Sequence, residues 1–250
     1  MPRYFLTVRY DGTGFHGSQI QGSQTTVQLA LNEALSLLLR EPVETFGASR
    51  TDEGVHALAN VYHFDTEKTL SARLLYNLNA MLPHGLATTG IAQPHDPELN
   101  ARFAATSRLY RYRIYFRKDP FLHKRGYLMP YPAQIALLHE TAALLMRHTD
   151  FTTFAKRNAQ TKTNICQIME SRWEDRGDEW QYVVRANRFL RGMVRALVGT
   201  QLQVARGKVS VPEFEALIAA KDNTGADFSV PGCGLYLEEV AYPEGCFLVE

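Results

Sequence analysis

"IMESRWEDRGDEWQYVVRANR", residues 168–188, is the stretch whose reading decides the fold. Two runs with strand character, 168–173 and 179–188, are separated only by the turn "EDRGD". No helix fits between them, and two strands joined by a tight turn are antiparallel. Working outward, "RYFLTVRYDG" alternates Tyr4, Leu6, Val8 and Tyr10 with Phe5, Thr7 and Arg9, which is a strand period. "VYHFD" (61–65), "RLYRYRIYFR" (108–117) and "PGCGLYLEEVAY" (231–242) read as further strands. The second of these puts Tyr110, Tyr112, Ile114 and Phe116 on one face, with Arg111, Arg113, Tyr115 and Arg117 on the other.

Helical spacing appears elsewhere. "TVQLALNEALSLLLREP" carries Val27, Leu31, Ala34, Leu35 and Leu38 on one face, with Thr25 or Thr26 as N-cap and Pro42 as terminator. "QIALLHETAALLMR", "FLRGMVRALVGTQLQV" and "PEFEALIAAKD" are three more helices, the last opened by Pro212. Strands follow strands as well as helices, so an α+β fold with helices packed on one side of antiparallel sheet fits better than a doubly wound sheet. The segment 94–108, with Pro94 and Pro97, divides the chain into halves at 1–105 and 106–250.

The chain has 250 residues, of which 45% are hydrophobic, enough for a substantial core. No apolar run approaches the roughly 20 residues of a membrane span, and the N-terminus lacks a signal-peptide pattern. Cys166, Cys233 and Cys246 form no C-x-x-C pair, and their odd number argues against a disulfide framework. The composition reads as cytoplasmic, with no membrane partner. A net charge of +1 hides a segregation. Residues 101–128 hold eight basic side chains against one acid, net +7, and residues 185–208 hold six against none, net +6, which leaves −12 for the remainder. Such a distribution suits a protein with one face turned to a polyanion, and the interleaved aromatics favour that over two merely solvated faces.

Two motifs need weighing. "GTGFHG" has Gly12, Gly14 and Gly17 in dinucleotide-binding spacing, but the helix of that motif begins inside it. Here polar turn residues through "SQIQGSQT" intervene, so a glycine-rich loop passing near a ligand or another part of the chain fits better. "ASRTDEGVHA", residues 48–57, packs Arg50, Asp52, Glu53 and His56 together. A metal site is a poor match, because His56 and His63 share no defensible ligand spacing and no cysteine assists. Taken alone, the stretch is a turn with Asp52 capping an amide and Gly54 at positive φ.

The larger pattern shifts that balance. "SRTDEGVHA" with "NVYHF" resembles the signature of the tRNA pseudouridine synthase A family, and the likeness runs nearly the whole chain. "YDGTGFHGSQIQ" with "TVQLALNEAL", "NARFAATSRLYRYRI", "DFTTFAK", "ANRFLRGMVRALVG" and "GLYLEEVAYP" are similar to its other blocks, in the same order. Ser18, Ser49, Glu53 and Asn100 depart from its usual residues. The resemblance implies two similar α+β halves whose antiparallel sheets join across a central cleft, a homodimer, and uridines 38, 39 and 40 of the tRNA anticodon stem–loop as substrate. It implies Asp52 as nucleophile, Arg50 as the residue entering the space left by the turned-out base, and Arg195 as the carboxylate's partner. Tyr110 would lie against the uracil, with Leu235 on the other side. Arg102, Phe103, Arg108, Arg111, Arg113, Asn158, Gln160, Lys162, Arg188 and Arg191 would contact RNA. Because the reaction changes neither redox state nor hydration, no cofactor, nucleotide or metal is expected.

Two rivals stand beside this reading. A noncatalytic RNA-binding module would share the basic segments without needing Asp52 beside Arg50. A nicotinamide-dependent oxidoreductase would use "GTGFHG" and would bind NAD.

Overall fold

Burial alternates along residues 3–10 and 107–115, and each of these strands is the frame of one unit. The computed structural model describes residues 1–157 and 161–248. In chain order its elements are β1 (Arg3–Tyr10), α1 (Val27–Leu39), β2 (Phe46–Gly47), β3 (His56–Asp65), α2 (Leu74–Met81) and β4 (Leu86–Ala92). There follow β5 (Ser107–Tyr115), β6 (Tyr127–Leu128), α3 (Ile135–Leu145), β7 (Ile168–Asp175), β8 (Glu179–Ala186), α4 (Met193–Ala205), α5 (Val211–Ala220) and β9 (Leu235–Ala241). The architecture is α+β.

The chain divides into two compact units, Met1–Thr106 with Leu237–Glu250, and Ser107–Tyr236. In the first, strands run in the order β4-β1-β3-β9, with β2 beside β3. β1 is antiparallel to both β3 and β4. Residues 237–248, expected with the second half, pack here because their partners are distant in sequence. The Thr106 amide donates to the Ala241 carbonyl at 2.8 Å, and the Tyr242 hydroxyl donates to the Ala101 carbonyl at 2.8 Å. α1 begins at the Thr26 cap, whose hydroxyl accepts the Leu29 amide, and ends at Arg40 in the left-handed region. Val27, Leu31, Ala34 and Leu35 are buried, while Leu38 is only half-buried.

In the second unit the order is β5-β8-β7, antiparallel throughout, with the hairpin at 168–188 in the form read from sequence. One departure from an all-antiparallel sheet is the short β6, which runs parallel to β5. α3 packs against α4 and β7. α4 starts at Met193 and not at Phe189, because Gly192 before it takes φ +72°, a conformation outside any helix. Most of α4 is buried, including Met193, Leu197 and Gln201. α5 carries a full capping box between Ser210 and Glu213.

Candidate active site

Asp52 lies in the loop between β2 and β3, in the first unit. Its carbonyl accepts the Val55 amide at 3.2 Å, and Gly54 takes φ +75°, closing a tight turn. The carboxylate-bearing residue is half-buried and Arg50 is exposed. The glycine-rich loop explains itself against this turn. A Cβ on Gly12 would stand 2.1 Å from the Val55 carbonyl oxygen, and Gly17, at φ +87°, would bring one to 3.0 Å from the Thr51 oxygen. Both glycines therefore let the loop pass over the Asp52 turn, whereas Gly14 has open space around it. The loop contains only a 3-10 turn, Gly12–Gly14, and α1 starts thirteen residues later, so no helix N-terminus faces a pyrophosphate there.

A network of neutral hydrogen bonds holds the loop from three directions. Ser18, 2% exposed, accepts the Thr51 amide on its hydroxyl at 2.8 Å, and its own amide donates to the Thr51 carbonyl at 3.0 Å. Tyr10 and Thr51 share a hydroxyl–hydroxyl bond of 2.8 Å. The Asn60 side-chain amide donates to the Ser49 carbonyl at 3.0 Å and to the Tyr10 hydroxyl at 3.2 Å. Burial pushes the Tyr10 phenol up to about 12, against the pull of its bonds to Thr51 and Asn60, so it stays neutral. Each such bond contributes about 1 kcal/mol, and an orphaned buried partner costs about 1–3 kcal/mol. Tyr10, Ser18 and Asn60 are site residues that sequence reasoning did not assign; Ser18 stood out only as a departure.

The two histidines near the loop are engaged by backbone. His56 Nδ1 accepts the Gly12 amide at 3.1 Å and lies 3.2 Å from Asp11 Oδ1. His63 Nδ1 accepts the Ala101 amide at 3.3 Å, and its ring is stacked against Phe5 and Phe46. Burial, then the nearby Arg3 charge, lowers the His63 pKa.

Beside Arg50 the first unit has a pocket of about 160 Å³, lined among others by Phe46, Ser49, Arg50, Asn100, Arg102 and Phe103. Arg102 and Phe103 are exposed, and the guanidinium lies 5.7 Å from the Phe103 ring centre.

The second unit holds the remaining sequence-predicted residues. Tyr110, on β5, is buried and meets Phe189 edge-on at 5.1 Å. Arg195, in the first turn of α4, is half-buried; its Nε donates to the Val230 carbonyl at 2.8 Å and Nη2 to the Phe228 carbonyl at 3.3 Å. Carbonyl partners orient a guanidinium without cancelling its charge. Leu235 follows the 3-10 turn Gly232–Gly234 and is buried.

The basic segments are used unevenly. Arg108 is buried, with Nη1 donating to the Asn187 carbonyl at 2.9 Å. Arg111 pairs with Glu174 at 3.0 Å and donates to Gln181 at 2.6 Å. Arg113 grips Glu179 through two bonds, at 2.6 and 2.8 Å, and that pairing raises its pKa further. Arg188 is half-buried and Arg191 exposed. Lys162 lines a second pocket, about 280 Å³, with Lys156, Arg157, Thr163, Asn164 and Asn223. Asn158 and Gln160 lie outside the described residues.

Known proteins give this geometry a context. A family model described as tRNA pseudouridine synthase matches residues 142–243. A protein named tRNA pseudouridine synthase A from Parabacteroides distasonis is 44% identical, with all of both chains covered. One of the same name from Bacteroides thetaiotaomicron is 42% identical over all of this chain and 94% of that one. Another from Bacillus subtilis is 36% identical over 96% of this chain and 99% of its own. With full-length relatives at this identity and a glycine loop folded over an Arg-Thr-Asp turn, the chain belongs to the tRNA pseudouridine synthase A family.

Proposed function

We propose that this chain isomerises uridine to pseudouridine at positions 38, 39 and 40 of the tRNA anticodon stem–loop, with Asp52 as the nucleophile. The observation that carries the reading is the bracing of Ser49 and Thr51 by Ser18, Tyr10 and Asn60, which fixes the backbone on which the Asp52 carboxylate is carried. A carboxylate on a braced loop suits a reaction whose first step is attack by that group, on C1′ of the ribose or on C6 of the base. By either route the C1′–N1 bond breaks, the uracil turns, and C5 bonds to C1′. The C5 hydrogen then leaves as a proton and N1 gains one, so atoms and electrons balance without a redox partner.

The other roles follow the resemblance. Arg195 takes the part of the Asp52 carboxylate's partner. Arg50 takes the place of the base turned out of the helix, a step that costs a few kcal/mol. Tyr110 and Leu235 flank the uracil. Arg102, Phe103, Arg188, Arg191 and Lys162 contact RNA, whereas Arg111 and Arg108 would first have to give up Glu174 and the Asn187 carbonyl. The enzyme works as a homodimer in the cytoplasm; no helix among the described residues is long and apolar enough to cross a membrane. The test is tritium release from undermodified tRNA carrying 5-tritiated uridine, followed by mapping of the changed nucleotides. Release confined to positions 38–40 is expected. Release from other positions overturns the site assignment, and no release overturns the reaction.

A further inference from the structure

We propose that the pocket in the first unit is a subsite for one pyrimidine base of the substrate RNA, adjacent to the nucleotide being isomerised; this rests on the function proposed above. Its position is the first argument. Arg50 lines the pocket but Asp52 does not, so a base held there sits beside the nucleophile's loop without being the base attacked. The floor is stiff, because the Ser49 carbonyl is held by Asn60 and Thr51 by Ser18.

Size is the second. The pocket measures about 160 Å³, close to the roughly 150 Å³ cavity that accepts a single benzene ring. A single six-membered ring fills a volume of that size. Its walls are the third argument. Phe103 is 80% exposed and Phe46 48%, and the two rings line this same pocket, where a flat partner would cover both. Phe46 already has one contact, with the His63 ring at 5.3 Å, and Arg102 lies over Phe103. Unstacked RNA bases dock on aromatic rings and guanidinium planes of this kind.

Hydrogen-bonding chemistry narrows the ligand to a carbonyl-bearing ring. Asn100 Oδ1 accepts the Arg102 amide at 2.9 Å and the Phe103 amide at 3.4 Å, which leaves its NH₂ as the group to offer. Gln28 also lines the pocket, but its amide donates to the Thr45 carbonyl and its oxygen accepts the Ile20 amide. The rim therefore presents the exposed Arg50 guanidinium and the Asn100 NH₂, donors that match the O2 carbonyl both pyrimidines carry and the O4 of uracil.

The experiment uses the full chain and full-length tRNA transcripts in two arms. In the first, 5-iodouridine is placed singly at each anticodon-loop position flanking the target, and photo-crosslinks to wild-type protein are mapped. In the second, pyrimidine-to-purine changes at those positions are assayed with wild type, Phe103→Ala, Phe103→Tyr and Asn100→Ala. A crosslink to Phe103 from one position is expected. A purine at that same position should raise KM about tenfold, as should Phe103→Ala, with Phe103→Tyr restoring the wild-type value. Phe103 is exposed, so its replacement leaves the fold intact, and circular dichroism checks this. Tritium release with no crosslink to the pocket and an unmoved KM in every variant overturns the subsite and leaves the reaction standing. A position-specific crosslink to Phe103 without tritium release from any tRNA does the reverse.

Discussion

Arg50 in the Asp52 loop of the first unit and the arginines on the β5–β8–β7 face of the second belong to regions that are stabilised in opposite ways. Around Asp52 the braces are neutral: a serine, a tyrosine, a threonine and an asparagine hold the backbone, while Arg50 and Arg102 stand exposed at the rim of a pocket. On the β-sheet face the braces are ionic. Glu174 sits among Arg111, Arg172 and Arg176, and Glu179 takes Arg113. The lesson is that charge counted along a chain is not charge offered to a partner. The net +7 of residues 101–128 is drawn down by carboxylates more than forty-five residues away, in β7 and β8.

Arg50→Ala should lower kcat/KM on the order of a hundredfold, the equivalent of the few kcal/mol needed to extrude a base. Its melting temperature should hardly move, since the side chain is exposed. A large fall in melting temperature with activity retained would place Arg50 among the structural arginines. Next come the neutral braces. Asn60→Ala removes the donor to Ser49 and Tyr10, so stability should fall by about 1–3 kcal/mol in denaturant melts. Single-turnover rates should fall about tenfold, as expected when a reacting group is misplaced, with tRNA affinity unchanged. A change in affinity alone would remove Asn60 from the positioning of Asp52.

Salt dependence sharpens the contrast among arginines. Arg102→Ala should reduce the slope of log affinity against log salt by about 1, as loss of one phosphate contact does. Arg113→Ala should leave the slope alone, because its guanidinium is already committed to Glu179. The reverse pattern would exchange their roles.

The smallest effect is a pH effect. Burial would raise the Glu174 pKa, but bonds from Arg176 and Arg172 and the Arg111 charge prevail and hold it at about 2, against an ordinary 4.5. A depressed carboxylate contributes its full stabilisation above the ordinary value and loses it as pH falls toward the folded one. Glu174→Gln should therefore be less stable at neutral pH and should lose less on acidification between about 4.5 and 2. Both tryptophans, Trp173 and Trp180, lie in β7 and β8 and report this by fluorescence. An unaltered acid profile would show that Glu174 is not a brace.

Local pattern accounts for what was legible. The hairpin at 168–188, β1, β5 and the helices α1, α3 and α5 each carry their own period or cap in sequence. α2 (LLYNLNAM) lacks a side-chain cap, and β4 (LATTGIA) has little alternation and meets β1 across an irregular register, so neither declared itself. The Asp52 turn was legible as a motif, but its braces were not. Tyr10, Ser18 and Asn60 reach it from 41, 33 and 11 residues away, and bonds across such separations leave no periodic trace.

The most direct test of the account is Asp52→Asn, a change of one oxygen to nitrogen within an intact loop. Tritium release from 5-tritiated tRNA should vanish while melting temperature and tRNA affinity stay near wild type. Turnover at the wild-type rate in that variant would contradict the assignment of the nucleophile.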